Sequence, residues 1–489
     1  MTVKELGFNN CLRGIKPVLE SLGSLEGISL VYCLLPWILF IVGWISSAIA
    51  AALVVVLLIG CICACRAMRG ATNPKRNVKY WLSIAVVALL WSLQSGAGGY
   101  GPQTLDWEKH NAILKSMVNH SWPVTYLDAD LSRFYLVYYF AYYLPAALIG
   151  KYAGWNAANH ALFCYTFVGT FLTLAWFLKL LETNQLENRS PWLAVPFLFY
   201  GGLASIGHFV LSGHWYNLFG NEYMEWWLGY DRWEYQCNEG LLIWVPHQAL
   251  AAWILTSMII HQALQNRSSA NVALYWALGI LWSPLVSAGM LPFLALAFWQ
   301  TGFKQAFSFP NLVAAPLLTL VGAAFFLSHS QNIEHGWQIT DLQLLYRLVL
   351  FYLVEVGLYA VFVRTRLDPQ NDQLRVWWWV SLICAALCPL YRIGHFSDFT
   401  MRASIPAVYF CWVVITRNLI YQKFGTRKFC LIVLLTIGAL PAAWFFRINL
   451  LQYQIRVPLK SSIAVVEKWP HWFLSQYAGN LEGPLFKTK

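Results

Sequence analysis

Long apolar runs recur along this sequence and limit what it can fold into. From about Ile28 onward, mostly apolar stretches of about 18 to 25 residues follow one another, which is the length of a helix that crosses the hydrocarbon core of a bilayer. Only 11% of the residues are charged, whereas a soluble domain has roughly 25%. We therefore predict an all-α, polytopic transmembrane helix bundle of about 12 to 14 helices, embedded in a lipid bilayer.

The basic residues lie in short clusters beside the apolar runs. The strongest cluster extends from Arg66 to Lys79, directly before a predicted helix that starts at Tyr80. Because loops rich in Lys and Arg stay in the cytoplasm, this helix is expected to lead outward. The same clusters account for the formal net charge of +11, and the sequence has no aromatic-basic motif typical of nucleic-acid binding. We expect no nucleic-acid partner.

The apolar pattern divides the chain into three parts. Residues 1–79 contain a helical membrane hairpin, with its turn near Gly43–Ser47, and the basic cytoplasmic loop. Residues 80–446 form the transmembrane core, and residues 447–489 form a short outward tail. Within the core, Ser283-Pro284 interrupts an apolar stretch and predicts the turn of a second helical hairpin.

One stretch of the core is ambiguous. Three apolar segments, about Arg133–Ile149, His160–Leu181 and Trp192–Leu211, separate two loops that are both predicted on the outer face. Two loops on one face need an even number of crossings between them, so either His160–Leu181 or Trp192–Leu211 must be re-entrant, or one of these two must split. Gly201-Gly202 is the expected break, because glycine pairs interrupt helices.

The first long outward loop, Gly98 to Val124, carries two acids, Asp106 and Glu108. A carboxylate at the membrane surface could act as a general base that takes a proton from an attacking hydroxyl group, and Glu108 could assist it or share a metal ion with it. Alternatively, Asp106 only caps the amphipathic helix that follows. That helix should lie flat in the membrane interface, with Lys109 on its polar side, where it could shape a groove for a lipid headgroup, cover the bundle, or do both.

Aromatic and polar residues of the later segments are further candidates for substrate contact. Tyr135 is the first of several tyrosines at helical spacing, and their rings could stack on a sugar or belong to the aromatic belt of the interface. His247 and Gln248 are expected just below the outer surface among apolar neighbours. A buried polar pair there needs hydrogen bonds, either from a substrate or from another helix.

A polar cluster follows at a predicted outward helix junction, in the sequence YRIGHFSDFTMR from Tyr391. Arg402 is expected to open a helix, where free backbone N–H groups favour an anion, and Arg392 flanks the same junction. Together with His395, these residues predict a phosphate-binding site. The alternative is a surface ion pair between Asp398 and Arg402.

Glu355 is the one acid deep in a predicted span, and an intramembrane carboxylate is a functional candidate. It is the strongest sequence argument for a transporter, although it could equally serve an interhelical hydrogen bond. The scattered histidines lack metal-ligand spacing, so no cofactor is expected and a divalent metal is not indicated.

Three sequence features resemble the GT-C superfamily of polytopic glycosyltransferases. They are the acid of the first long outer loop, the tyrosine-rich span that starts at Arg133-Phe134-Tyr135, and the segment DFTMRASIP from Asp398 to Pro406, which is similar to a segment in uncharacterised bacterial GT-C-like proteins. The resemblance covers most of the chain after about Tyr80. It implies inverting sugar transfer from a polyprenyl-phosphate-linked donor to an unknown acceptor, at the outer face of a bacterial inner (plasma) membrane, with Asp106 as the base.

The chain departs from the GT-C pattern at three points. A hairpin precedes the expected first helix, no large C-terminal domain is expected after the core, and the acids are Asp-x-Glu rather than adjacent. Two other functions therefore stay open: a transporter or flippase of lipid-linked sugars, and a GT-C relative without catalytic activity. A transporter would need deep ionisable residues, such as Glu355, and repeated halves, which the sequence lacks.

Overall fold

A computed structural model of the chain is almost entirely helical; it describes residues 20–68, 76–127, 133–182, 190–213, 233–328, 335–364, 372–394, 397–456, 477–481 and 484–487. Within these residues, eight helices are long and apolar enough to cross a membrane. Three shorter apolar helices accompany them: Val78–Ser92, Val272–Trp282 and Ile405–Tyr421. The predicted polytopic helical membrane protein is confirmed at this level, with eight candidate spans rather than the 12 to 14 expected.

The predicted N-terminal hairpin is present. Helices α1 (Leu25–Trp44) and α2 (Ser47–Ala67) are joined at Ile45-Ser46, where the sequence places the turn. The hairpin is attached to the core by a hydrogen bond from Trp37 Nε1 to the carbonyl oxygen of Leu278, 2.9 Å long. Because a buried indole N–H must find an acceptor, this bond helps fix the hairpin against the bundle.

Helices α3 and α5 define the two ends of the bundle. Helix α3 (Val78–Ser92) leads toward helix α4 (Asp106–Asn119), and helix α5 (Leu144–Leu181) runs back, bent at Gly154. The guanidinium group of Arg76, just before α3, pairs with the carboxylate of Glu182, just after α5. We therefore distinguish an Asp106 end, which contains α4, from a Glu182 end.

The ambiguous stretch contains fewer helices than predicted. The expected span over Arg133–Ile149 is wrong: Arg133–Leu136 form strand β2, which pairs with β1 (Thr125–Leu127), and helix α5 begins at Leu144. A single helical segment, α5, interrupted at Gly154, thus replaces two predicted spans and removes the odd count. The next segment is broken between α6 (Val195–Leu198) and α7 (Ala204–Ser212), at Gly201-Gly202 as expected.

The centre of the bundle contains a second hairpin. Helices α8 (Asn238–Trp244) and α9 (Pro246–Leu264) are almost completely buried and precede α10 (Val272–Trp282) and α11 (Pro284–Thr301). Trp276 Nε1 of α10 donates to the carbonyl oxygen of Ser287 in α11 at 2.8 Å, so these two helices lie side by side. The hairpin predicted at Ser283-Pro284 is confirmed.

The C-terminal half contributes the remaining helices. A π-helical turn, Leu353–Gly357, lies between α13 and α14 and contains Glu355. The helices are α12 (Ala315–Leu327), α13 (Leu342–Tyr352), α14 (Leu358–Phe362), α15 (Asp372–Leu387), α16 (Asp398–Ala403), α17 (Ile405–Tyr421), α18 (Thr426–Gly438) and α19 (Leu440–Leu451).

Short strands and the C-terminal tail cover the Asp106 end. Strand β3 (His335–Trp337) pairs antiparallel with β4 (Tyr391–Ile393), and β5 (Ala478–Gly479) joins β2. The helical part extends to Leu451, slightly past the expected boundary at residue 446, and the described parts of the tail then pack against the bundle through backbone bridges between Tyr100 and Ile455 and between Ile45 and Phe486.

Candidate functional site

Helix α4 places three ionisable side chains on one face. Asp106 is its first residue, and Lys109 and His110 follow at three and four positions, a spacing that brings side chains together on a helix. The start of α4 has no side-chain cap, so the alternative in which Asp106 only caps the helix is not what the structure contains. Instead, Asp106 Oδ2 lies 3.1 Å from Lys109 Nζ.

The ion pair of α4 is partly sheltered from solvent. The Lys109 side chain is 7% exposed and that of Asp106 is 31% exposed. Burial alone would raise the pKa of Asp106, but the charge and hydrogen bond of Lys109, together with the charge of Arg402, outweigh burial and hold this pKa below its usual value. Burial lowers the pKa of Lys109, and Asp106 more than restores it. Asp106 is therefore ionised at neutral pH, as a proton acceptor must be.

Helix α4 docks into the bundle rather than lying flat in the interface. Lys109 and His110 are buried, so the expected polar side of this helix faces protein. Trp107 Nε1 donates to the carbonyl oxygen of Ile243 at 3.0 Å, and His110 Nε2 donates to that of Trp244 at 3.1 Å. The water-facing position predicted for Lys109 is wrong, because both rings find acceptors at the end of α8, which holds this face of the helix inward.

His110 is a neutral, oriented imidazole. Since Nε2 donates to a carbonyl group, Nδ1 must accept, and its partner is the hydroxyl group of Tyr143 at 2.5 Å. Burial, supported by the charge of Lys109, lowers the pKa of His110 to about 3. His110 thus adds no positive charge beside Asp106 at neutral pH.

Arg402 comes to the same place from a distant part of the sequence. Its guanidinium group pairs with the carboxylate of Asp398, four residues earlier, which is the alternative pairing considered from the sequence. Arg402 lies in the last turn of α16, so the expectation that it opens a helix with free N–H groups is wrong. The chain forms a short separate helix here before α17 begins at Ile405. Asp106 and Arg402 nevertheless lie within electrostatic range of each other.

His247 has a fixed tautomer. Gln248 Nε2 donates to His247 Nε2 at 3.0 Å, and the Gln248 carbonyl oxygen accepts from Ser283 Oγ at 3.2 Å. The proton of the neutral ring is therefore on Nδ1. Of the two predicted residues, Gln248 contacts the neighbouring helix through Ser283. The Nδ1–H group of His247 is not used in this contact and can donate to another acceptor.

Two buried N–H groups of this region lack acceptors. Neither His247 Nδ1 nor Arg402 Nε has a hydrogen-bond partner among the described residues. His247 is completely buried, and Arg402 is 9% exposed. A buried donor without an acceptor costs free energy, and ligands or water molecules commonly supply the missing acceptor.

These side chains form one group at the Asp106 end. The rings of His110 and His247 are 5.0 Å apart, and the ring of Tyr138 is 6.0 Å from that of His247. The charges of Lys109 and Arg402 both act on His247. We call the group the Asp106 cluster, and it consists of Asp106, Lys109, His110, Tyr138, His247 and Arg402.

Four predicted site residues lie apart from the cluster or beyond the described chain. Glu108 is exposed on α4, and Tyr135 is buried in β2 opposite Gly479 of β5. Arg392 is exposed on β4, and His395 lies outside the described residues. Among the described electrostatic neighbours of Asp106 and Arg402, neither Glu108 nor Arg392 occurs.

A narrow cavity lies beside the cluster near Arg402. Its wall includes Met401, Ser404, Gln236 and Asn238. Met401 Sδ lies 3.7 Å from Arg402 Nη1, so the cavity begins next to the guanidinium group. The buried Gln236 Oε1 has no partner within the described part of the chain. The cluster is therefore bordered by space that protein atoms do not fill.

Neither a metal centre nor a relative identifies the site. Across the described ranges, no group of three or more His, Cys, Asp or Glu side chains is arranged to hold a metal ion. No family model matches the chain, and no curated protein and no solved structure matches it. The function must therefore be inferred from the cluster itself.

Sequence reasoning found Asp106, His247 and Arg402 but missed Lys109 and His110. A signal for both was present, because residues three and four positions after Asp106 share its face of a helix. The amphipathic pattern of α4 concealed it, since it assigned Lys109 to water. Nothing in the sequence indicates that Tyr143 and Trp244 fix the ring of His110, because both contacts join distant segments.

Proposed function

We propose that this protein is a membrane glycosyltransferase that moves a sugar from a polyprenyl-phosphate donor to an acceptor, with Asp106 as the general base. The supporting observation is the Asp106 cluster: an ionised carboxylate that is partly open to solvent lies beside buried cations and buried N–H groups that have no acceptor among the described residues. The resemblance to the GT-C superfamily supplies the substrate class and the extracytoplasmic, bacterial inner-membrane setting.

The cluster offers each group that the reaction requires. Asp106 takes the proton of the acceptor hydroxyl group as its oxygen attacks the anomeric carbon. The bond from that carbon to the donor oxygen breaks, and the bonding electrons leave with the polyprenyl phosphate. Negative charge grows on this phosphate, and a cation already in place stabilises it without reorganisation. Arg402 is our candidate for that contact.

The roles of the other predicted residues are narrower in this proposal. Arg392 is exposed on β4 and is not assigned a phosphate contact, while His247 takes a contact to the donor through Nδ1. Gln248 orients His247, and Tyr135 and Glu108 remain outside the proposed chemistry. In this proposal, the base and the cation that stabilises the leaving phosphate are the groups that drive the inverting displacement.

Turnover of defined donors tests the proposal. The full chain is reconstituted in phosphatidylcholine nanodiscs with a panel of polyprenyl-phosphate hexoses and pentoses, and release of polyprenyl phosphate is measured with a mixture of acceptor alcohols. We expect release from at least one donor and its loss in Asp106→Asn. Asp341→Asn is the matched control, because it changes an exposed acid that caps α13, and asparagine caps equally well. No release from any donor by the folded protein contradicts the proposal.

A second candidate, transport of a lipid-linked sugar, is favoured by a different place in the fold. Glu355 is buried in the π-helical turn between α13 and α14, and such turns are frequent at functional sites. Its carboxylate occupies the space left by Gly202, where a Cβ atom would collide with it. Gly202 lies in the broken segment between α6 and α7, and interrupted helices line the substrate paths of transporters.

Transport predicts a different pattern of variants. In proteoliposomes, movement of a lipid-linked sugar between leaflets is measured for the wild-type protein, Glu355→Gln and Asp106→Asn. A transporter should lose movement with Glu355→Gln and retain it with Asp106→Asn. Equal movement in liposomes without protein would exclude transport and leave Glu355 as a structural residue.

A further inference from the structure

The ion pair between Asp106 and Lys109 raises a question for any role of Asp106 as a base. The ammonium group of Lys109 lies 3.1 Å from Asp106 Oδ2, where it competes with a proton or an acceptor hydroxyl group for the same oxygen. The pair also holds the pKa of Asp106 low, which weakens its ability to take a proton. In this state Asp106 is ionised, but Lys109 occupies one of its oxygens and makes it a weaker base.

The surroundings of Lys109 provide a way to release it. The charges of Lys109 and Arg402 act on each other, and both act on His247. Two cations are thus gathered in one place with Arg402 Nε and His247 Nδ1, which have no acceptor in the described part of the chain, although each cation already has a carboxylate in its own helix. An anion with several oxygens is the ligand that such a set of donors fits.

We propose that Lys109 exchanges partners: it holds Asp106 in the resting protein, and it turns to a phosphate group that binds between Lys109, Arg402 and His247. The inference rests on the proposed function for the identity of the phosphate as that of a polyprenyl-phosphate donor. No covalent bond changes in the exchange. One ion pair is replaced by another, and Asp106 is left beside the phosphate without its cation.

The exchange would make the base responsive to its substrate. Without donor, Asp106 is neutralised by Lys109, and a free hydroxyl group or water meets a poor acceptor. With donor, the phosphate takes the positive charge of Lys109, and the carboxylate becomes both available and more basic. Lys109 is a positioning residue for Asp106 in this scheme and a binding residue for the phosphate.

Opposite effects of two variants test the exchange without any need for turnover. Binding of a fluorescent polyprenyl phosphate is measured for the full chain in phosphatidylcholine nanodiscs. Lys109→Met should weaken binding by about 10- to 100-fold, the loss typical of one charge-assisted hydrogen bond. Asp106→Asn should tighten binding by about two- to fivefold, because Lys109 no longer has a competing carboxylate.

Matched variants separate this effect from misfolding. Lys115→Met removes a cation from the same helix, where it lies over the ring of Trp155, and should leave binding unchanged. Lys109→Arg keeps the charge and should retain most of the affinity, even if Lys109→Met unfolds. An Asp106→Asn protein that binds polyprenyl phosphate no more tightly than wild type overturns the exchange.

A second arm distinguishes the source of the phosphate. Inorganic phosphate replaces the lipid, and its binding is followed through protein fluorescence in the same three proteins. Opposite effects of Lys109→Met and Asp106→Asn with the lipid alone support a membrane-borne ligand, and the same effects with inorganic phosphate support recognition of the phosphate group by itself. If the two variants show opposite effects with neither the lipid nor inorganic phosphate, the proposal is overturned.

The outcome is independent of the proposed function. If the variants change phosphate binding as expected but no donor is turned over, the exchange stands and glycosyl transfer fails. If Asp106 is required for turnover but Asp106→Asn does not tighten binding, glycosyl transfer stands and the exchange fails.

Discussion

The two ends of the bundle both bury charged side chains, but they pair them differently. At the Glu182 end, Glu182 pairs with the nearby Lys179 but also with Arg76 across 106 positions of sequence, and Arg417 Nη1 of α17 donates to the carbonyl oxygen of Leu180 at 3.2 Å. At the Asp106 end, Lys109 and Arg402 instead pair within their own helices, with Asp106 and Asp398.

This difference separates structural charges from charges that a ligand can use. A pair between distant segments holds two helices together, so the fold opposes its opening. A pair within one helix does not join two helices, so it can open while the bundle stays intact. The cations of the Asp106 end can therefore change partner without opening the fold, and they remain available for an anion.

Replacement of Asp106 should have the largest effect on activity. Asp106→Asn removes the proton acceptor and should lower transfer by about 10²- to 10⁴-fold, with thermal unfolding close to that of wild type. Donor release is measured in nanodiscs and unfolding by intrinsic fluorescence. A variant that unfolds far below the wild-type temperature would instead place Asp106 among the structural charges and break the comparison.

Replacement of Glu182 should lower stability and leave turnover unchanged, which is the reverse of the effect expected for Asp106→Asn. The side chains of Arg76 and Glu182 are 6% and 11% exposed, and Glu182→Gln leaves Arg76 and Lys179 without their carboxylate. Loss of one partner of a buried pair costs about 3–5 kcal/mol of unfolding free energy. Thermal unfolding of the variant should shift accordingly, while turnover per folded molecule stays unchanged.

A double variant is the control for this assignment. Arg76→Met combined with Glu182→Gln should be less destabilised than Glu182→Gln alone, because the more deeply buried of the two cations that pair with Glu182 is then also removed. If Glu182→Gln unfolds at the wild-type temperature, the pair between Arg76 and Glu182 is as dispensable as the pairs within helices at the Asp106 end. The contrast between the two ends would then disappear.

Replacement of Arg402 should affect donor binding more than acceptor binding. Arg402→Ala removes a charge-assisted bond to the phosphate, so KM for the donor should rise by about 10- to 100-fold. KM for the acceptor should change little. The matched control is Arg392→Ala, which removes an exposed guanidinium group on β4 near the same junction. Equal effects of both changes would return Arg392 to the phosphate site.

The fold could be predicted from local signals, and the cluster only in part. Apolar runs gave the bundle, and Gly201-Gly202 and Ser283-Pro284 marked a break and a turn because glycine and proline act on their own backbone. The segment around Tyr135 was mispredicted as a helix, since its alternation of aromatic and aliphatic residues also suits a strand that pairs with distant β5.

The arrangement of the cluster depends on contacts that one sequence does not encode in any local pattern. His247 and Arg402 meet Asp106 through the packing of α4, α9 and α16, which are separated by more than a hundred positions. Spacing alone could identify the pairs within helices, such as Asp106 with Lys109. Spacing could not show which of these helices are buried. Burial is what makes Lys109 part of a site rather than of a solvent-exposed surface.

The smallest expected effect is a shift in the pH dependence of transfer, and it bears on the difference between the two ends of the bundle. The pKa of Asp106 is held low by Lys109 and Arg402 against the opposing effect of burial, so activity should fall only when the pH drops below the usual carboxylate range. Lys109→Met removes a cation that favours the ionised carboxylate. The pKa should therefore rise, and the acid limb of kcat/KM, which reports the free enzyme, should move to higher pH.

The same measurement contains an internal check. If the donor phosphate draws Lys109 away from Asp106, the acid limb of kcat in the wild-type protein should lie at higher pH than that of kcat/KM, because kcat reports the complex. The two limbs should come closer together in Lys109→Met and stay apart in the control Lys115→Met. Identical limbs in the wild-type protein would mean that Lys109 never leaves Asp106, and the local pair would then be as permanent as the pair at the Glu182 end.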